Sequence, residues 1–104
     1  MIIDHRTYTL YHRKLPKFLE IYEQEGLPIQ LKYLGNLVGY FISVIGSLNQ
    51  VVHLWGYESL ADMETRRAAR DADPAWSAYG RKTEGFILNQ ETKILKPTSF
   101  SPIR

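Results

Sequence analysis

Gly-Ser-Leu-Asn-Gln-Val-Val-His-Leu-Trp-Gly-Tyr, residues 46–57, has the pattern of a turn followed by a β-strand with two different faces. Because side chains alternate along a strand, Val52 and Leu54 share one face, which is small and aliphatic and suits a core. The opposite face carries Val51, His53, Trp55 and Tyr57. An imidazole beside large aromatic rings with polar groups is typical of a pocket or an interface. The functional question is therefore what this second face contacts.

The rest of the chain predicts three further strands. Alternating and β-branched residues indicate them over residues 2–11, 37–47 and 86–95. In the first of these strands Arg6 and Tyr8 share a face, but neither face is cleanly apolar. In the second, Val38 and Tyr40 are predicted to lie on the same face. These patterns alone do not decide which face of the sheet is the core.

Helical segments are predicted between these strands. The first begins near Pro16, is interrupted at Gly26 and Pro28, and ends at Gly35, a residue that tolerates the left-handed conformation. The second begins after Ser59, a natural N-cap, and continues to about residue 72. A short helical piece follows it before the last strand.

The β-α-β-β-α-β order predicts an α+β, ferredoxin-like fold with a four-stranded antiparallel sheet and both helices on one face. Residues 1–104 are predicted to form one domain, of which residues 95–104 are an extended tail. We expect the uncovered face to carry Trp55 and Tyr57, which would be a large exposed apolar patch for a monomer. A second copy of the chain, packed sheet to sheet in a homodimer, would cover it.

The composition excludes several function classes. The chain has no cysteine, which excludes disulfides, thiol catalysis and thiolate metal sites. Its formal net charge of +2 is too small to predict a nucleic-acid or membrane partner. No apolar run is long enough to span a bilayer, and the N-terminal residues lack the pattern of a signal peptide. We therefore expect a cytoplasmic protein.

Several segments of the chain are distinctive when taken together. They are Arg6-Thr-Tyr-Thr-Leu10, Gly39-Tyr-Phe41, residues 48–60, Arg66-Arg67, Asp73-Pro-Ala-Trp76, Pro97 and Phe100-Ser-Pro102. With these segments the chain resembles the NIPSNAP family of small dimeric α+β barrel proteins. The resemblance covers nearly the whole chain, and its specific parts are residues 49–57 and the Phe-Ser-Pro tail. It implies a ferredoxin-like barrel and a homodimer, but no catalytic residue set. The family usually has Glu and Leu before the arginine of the first strand, where this chain has Asp4 and His5.

His53 is the candidate catalytic residue, together with Arg6. In the predicted sheet the third strand neighbours the first, so both side chains can lie on one face. A neutral imidazole can abstract a proton, and an arginine can hold a carboxylate or enolate beside it. Asp4 or Glu91 is then expected to orient the imidazole. The alternative is that His53 is hydrogen-bonded at the dimer interface, as buried polar groups usually are.

Aromatic side chains and two arginines are the candidate ligand-binding residues. The aromatic candidates are Tyr8, Tyr40, Trp55 and Tyr57, which are predicted to line a cavity between the sheet and the helices of the dimer. A dimer core would have the same composition. Arg66 and Arg70 lie close on one helix face and are candidates to hold a carboxylate ligand. An ion-paired, solvated helix face is the alternative, since Asp62 lies four residues before Arg66.

No cofactor and no metal site are predicted. The three histidines, His5, His12 and His53, lack the spacing of metal ligands, and the chain has neither a glycine-rich phosphate loop nor a nucleophile elbow. One predicted function is a homodimer of unassigned activity with a cleft for a small organic molecule. If the cleft is catalytic, analogy with other dimeric barrels favours cofactor-free proton transfer or oxygenation of a carbonyl or aromatic substrate. The other is a non-catalytic, dimeric protein-interaction module.

Overall fold

The computed structural model describes all 104 residues and confirms the predicted α+β fold. Its elements, in chain order, are β1 (Ile2–Leu10), α1 (Leu15–Ile21), a π-helical turn (Tyr22–Gly26), α2 (Leu27–Tyr33), β2 (Asn36–Ile42), β3 (Gln50–Tyr57), α3 (Leu60–Asp71), α4 (Pro74–Lys82) and β4 (Ile87–Leu95). No helix is long and apolar enough to cross a membrane.

The four strands form one antiparallel sheet in the order β2-β3-β1-β4. In this register His53 of β3 lies directly opposite Arg6 of β1 and Tyr40 of β2. Because residues directly opposite one another point to the same side, these three side chains form a row across one face of the sheet.

The helices cover the face that carries this row. Two buried clusters join the sheet to the helices, one formed by Leu10, Phe18, Tyr22, Val51 and Tyr79, the other by Leu34, Trp55 and Tyr57. The prediction that Trp55 and Tyr57 lie on the uncovered face is therefore wrong. The large rings lie under the helices because burial there removes the most apolar area from water, worth roughly 1.5–3 kcal/mol for a large apolar side chain.

The uncovered face carries the small aliphatic residues. Val52 and Leu54 are half-buried, and Phe41, opposite Val52, is 56% exposed. The segment after β4 folds back over one end of this face, where Pro97 and Ile103 line a cavity of about 310 Å³ together with Leu54 and residues of the neighbouring strands.

A bulge in β2 changes which side chains share a face. The register shifts between Leu37 and Gly39, so Val38 faces the uncovered side with Leu54, whereas Tyr40 faces the helices beside His53. The prediction that Val38 and Tyr40 share a face is wrong for this reason. β2 also ends at residue 42, earlier than predicted, and residues 43–49 form the connection to β3.

The predicted interruption of the first helix is confirmed. It takes the form of the π-helical turn between α1 and α2, which ends at Gly26. A Cβ atom on Gly26 would lie 2.8 Å from side-chain atoms of both Tyr22 and Tyr79. Only glycine therefore lets the turn approach these two rings, which belong to the cavity described next.

Candidate functional site

A cavity of about 190 Å³ lies between the sheet and the helices. Its walls are mostly aromatic rings, contributed by Tyr8, Phe18, Tyr22, Tyr40, Trp76 and Tyr79. Its polar lining consists of His53, Gln30, Thr83 and Gln90 together with the tyrosine hydroxyls. The lining includes no carboxylate and no cationic side chain. The cavity is therefore a closely walled aromatic site with a few neutral polar groups, as small-molecule sites are.

His53 is the most buried polar side chain of this lining, at 3% exposure. Its Nδ1 accepts a hydrogen bond of 3.1 Å from the indole Nε1 of Trp55, two residues further along β3. A neutral imidazole carries one proton, so the proton of His53 is on Nε2. Nε2 is buried and has no hydrogen-bond partner within the chain. His53 thus lines the cavity and carries a buried N–H donor that the chain leaves unpaired.

The surroundings keep this imidazole neutral. Burial, which is the largest cause, and the nearby positive charges of Arg6 and Arg67 together lower the pKa of His53 from 6.5 to about 3. At neutral pH the ring is therefore an uncharged donor. It could act as a base through Nε2 only if the hydrogen bond from Trp55 were broken and the proton moved to Nδ1.

Two tyrosines hold the imidazole in place. The ring of Tyr40 stacks on that of His53 with centroids 4.9 Å apart and an interplanar angle of 9°. Tyr8 meets the imidazole edge-on at 4.8 Å. The Tyr40 hydroxyl is also buried without a partner, and burial raises its pKa well above the usual value, so it stays protonated and able to donate. Two residues of the cavity lining, His53 and Tyr40, therefore carry buried polar groups that the chain does not satisfy.

A buried ion cluster lies on the same face of the sheet. Asp4 is fully buried, and both of its carboxylate oxygens accept from Arg6 Nε at 3.1 Å. Arg67 Nη1 lies 3.8 Å from the same carboxylate. Asp4 therefore holds arginines, and Glu91 pairs with Lys93 on the exposed surface of β4. The prediction that one of these acids orients His53 is wrong, because Trp55 does so.

The side chains of the two predicted ligand-binding arginines have different partners and share no cavity. Arg66 pairs with Asp62 at 2.8 Å and lines an outer cleft. Arg70 is 5% exposed, hydrogen-bonds to Asp71, and lies over the ring of Trp76 at 4.4 Å. Arg67 was not among the predicted site residues, although Met63, Arg67 and Arg70 follow the helical spacing of one sheet-facing stripe.

The outer cleft, about 480 Å³ in volume, lies where β2 begins and β3 ends and is separate from the inner cavity. Of the predicted site residues it contains Tyr57 and Arg66. The hydroxyl of Tyr57 has no hydrogen-bond partner in the chain. Burial raises its pKa, and the negative charge of Asp4 raises it to a smaller extent. Trp55 lines neither cavity, so the predicted set divides between two places. No group of three or more His, Asp or Glu side chains is placed to hold a metal ion.

Comparison with known proteins confirms the resemblance seen in the sequence. A family model described as NIPSNAP matches residues 3–102. The chain belongs to the NIPSNAP family. Among solved NIPSNAP structures, Atu4242 from Agrobacterium tumefaciens is 44% identical, with a TM-score of 0.98 over 100% of both chains. It is described as a nipsnap family protein with unknown function.

The curated NIPSNAP relatives are longer than this chain. Human Protein NipSnap homolog 3A is 37% identical over 68 residues, which are 65% of this chain but 28% of the human protein. A putative antibiotic biosynthesis monooxygenase from Nitrosomonas europaea, 11% identical, has a TM-score of 0.67 over 93% of this chain and 98% of its own. At that identity the similarity shows the shared ferredoxin-like fold alone.

Proposed function

We propose that this NIPSNAP protein binds a small organic molecule, about one substituted aromatic ring in size, in the inner cavity. The observation that carries the proposal is the buried Nε2–H of His53, which has no partner in the chain and belongs to a residue lining an aromatic-walled cavity. An unpaired buried donor costs about 1–3 kcal/mol, so a ligand that accepts from it recovers stability that the free protein lacks.

The size of the cavity limits the ligand. Its volume of about 190 Å³ is below the range of roughly 300–1,000 Å³ that is usual for drug-sized ligands. An apolar cavity of about 150 Å³ is large enough for benzene. A single ring with one or two polar substituents therefore matches the space, and stacking on the aromatic walls would contribute to its binding.

The chemistry we propose is polarisation of a carbonyl or phenolic oxygen. A neutral imidazole N–H can stabilise negative charge that develops on such an oxygen. Arg6 lies directly opposite His53 and adds positive charge to this face of the sheet. These features support a ligand with a hydrogen-bond acceptor at one end of its ring, whose oxygen the Nε2–H of His53 would polarise.

A titration of the protein with 4-hydroxybenzaldehyde by calorimetry tests this proposal. The wild type should bind it, and His53→Phe, which keeps a ring but removes the donor, should bind at least about tenfold more weakly. His12→Phe is the matched control, because His12 is exposed and lies outside the cavity. Absence of binding to the wild type, or equal binding by His53→Phe, would refute the proposal.

We also propose that the chain forms a homodimer through the uncovered face of the sheet. The second candidate function follows from this dimer and is that of a non-catalytic protein-interaction module. The supporting observation is apolar exposure on this face and on the adjoining hairpin, where Phe41 is 56% and Ile45 93% exposed. Analytical ultracentrifugation should show that the wild type sediments as a dimer. The Phe41→Glu variant should dissociate into monomers at higher protein concentrations than the wild type does. A wild-type monomer would contradict this proposal.

We further propose a cytoplasmic location, which fractionation of the cells that produce the protein would test.

A further inference from the structure

We infer that the inner cavity is an oxyanion site, in which Trp55 fixes His53 as an Nε2–H donor so that the ionised form of a phenol or enol is preferred over the neutral form. The inference rests on the proposed function, since it names the class of ligand and the residue that selects it. Trp55 is a positioning residue in this account, because it lines neither cavity and acts through His53.

The direction of the Trp55–His53 hydrogen bond decides the argument. An indole Nε1 is a donor only, so its partner Nδ1 must be unprotonated. A hydroxyl or a water in the same place could donate or accept and would leave both tautomers open. Trp55 is itself 1% exposed and packed against Leu34 and Tyr57, so it cannot readily turn away. The fold therefore presents a donor, and not a lone pair, at Nε2.

The rest of the lining also favours an anion. The Tyr40 hydroxyl stays protonated, and the side-chain oxygen of Gln30 already accepts from the Tyr22 hydroxyl. No carboxylate lines the cavity to repel an oxyanion. The ligand oxygen would therefore meet donors and no fixed negative charge.

The charges around the cavity act in the same direction. The charged groups near His53 are Asp4 and Arg6 on β1 and Arg67 and Arg70 on α3. Asp4 is engaged by Arg6 and Arg67, and Arg70 lies over Trp76, a ring of the cavity wall. Arg70 also pairs with the exposed carboxylate of Asp71, so the three cations meet one buried and one exposed carboxylate. The groups on this face keep an excess of positive charge, which stabilises a nearby anion most where water is excluded.

The first test reads the tautomer directly in the unliganded wild type. Long-range proton–nitrogen NMR distinguishes a protonated from an unprotonated ring nitrogen, and the chain has only three histidines to assign. His53 should show an unprotonated Nδ1 and a protonated Nε2 at neutral pH. An Nδ1–H tautomer or a charged ring would overturn the inference, and this holds even if Trp55 variants fail to fold.

The second test uses 4-nitrophenol, whose ionised form has a distinct absorption band, with 4-nitrotoluene as a neutral ring of similar shape. Bound nitrophenol should have its pKa lowered by about one unit or more, which is a preference of about tenfold for the anion, while its proton passes to the buffer. Trp55→Phe should lose most of this shift, and His12→Phe should keep it.

The outcomes separate the two proposals. If neither compound binds, the proposed function fails. If both bind equally well and the pKa of nitrophenol is unchanged, the cavity is a ligand site but the oxyanion inference is refuted. If Trp55→Phe binds nitrophenol with the full shift and an unchanged His53 tautomer, the role assigned to Trp55 is refuted.

Discussion

Folding stability should fall between about pH 7.5 and about pH 5.5 because His53 is buried uncharged. The pKa of His53 is about 3 in the folded protein, against 6.5 for an unperturbed histidine. The unfolded chain therefore binds a proton that the folded protein excludes. The stability that follows is fully present above pH 6.5 and is lost as the pH falls below it.

The size of this loss follows from linkage. With an unfolded pKa of 6.5 and a folded pKa well below the window, one histidine accounts for about 1.4 kcal/mol of unfolding free energy between about pH 7.5 and about pH 5.5. Carboxyl groups have ordinary pKa values near 4 and contribute little in this window. This loss of unfolding free energy requires that the imidazole is buried in its neutral form. Its size hardly changes with the folded pKa, as long as that pKa lies below about 5.

Urea unfolding at the two pH values measures the effect. Between the two pH values, the unfolding free energy of the wild type should fall by about 1.4 kcal/mol more than that of His53→Gln, because glutamine cannot take up the proton. His12→Gln should lose as much as the wild type, since it leaves the buried imidazole intact. A wild-type loss below about 0.4 kcal/mol, or the same loss in His53→Gln, would show that His53 is not held neutral by burial.

Three further comparisons, made with five substitutions, test other parts of the structure by urea unfolding. Asp4→Asn leaves two arginines without their buried carboxylate and should lower the free energy of unfolding by about 2–4 kcal/mol. Glu91→Gln, in an exposed ion pair, should stay within about 0.5 kcal/mol of the wild type. Similar values for both variants would contradict the buried cluster. Gly80→Ala, with open space around the new Cβ in α4, should stabilise the protein by about 0.5–1 kcal/mol. Gly85→Ala, at φ +80°, should destabilise it by about 1–2 kcal/mol. Effects of the same sign would refute the helical conformation at Gly80 or the left-handed conformation at Gly85. Ser59→Ala removes the hydroxyl that accepts from Asp62 N and should cost about 1 kcal/mol, so an unchanged midpoint would show that the cap contributes nothing.

The sequence predicted the fold because most elements carry a local signal. Alternation from Gln50 to Tyr57 defined β3, and Ser59 marked the start of α3, as the structure has them. The bulge at Val38 carries no such signal, because it depends on how β2 pairs with β3. The two faces of β3 were exchanged in the prediction because a hydrophobicity pattern does not show whether helices cover the aliphatic or the aromatic side.

The candidate site was predicted in part. The strand order places Arg6, Tyr8 and His53 together, and that followed from the predicted topology. The hydrogen bond from Trp55 to His53 did not, because it depends on the rotamers of two side chains on one strand. The position of Arg67 beside Asp4 likewise depends on how α3 is turned against the sheet.

A crystal structure of the protein with bound 4-nitrophenol tests the central claim most directly. The account predicts the aromatic ring inside the inner cavity, with its phenolic oxygen within about 3.2 Å of His53 Nε2. An empty inner cavity under saturating ligand, a ring bound in the outer cleft beside Arg66, or a phenolic oxygen turned away from His53 would contradict it.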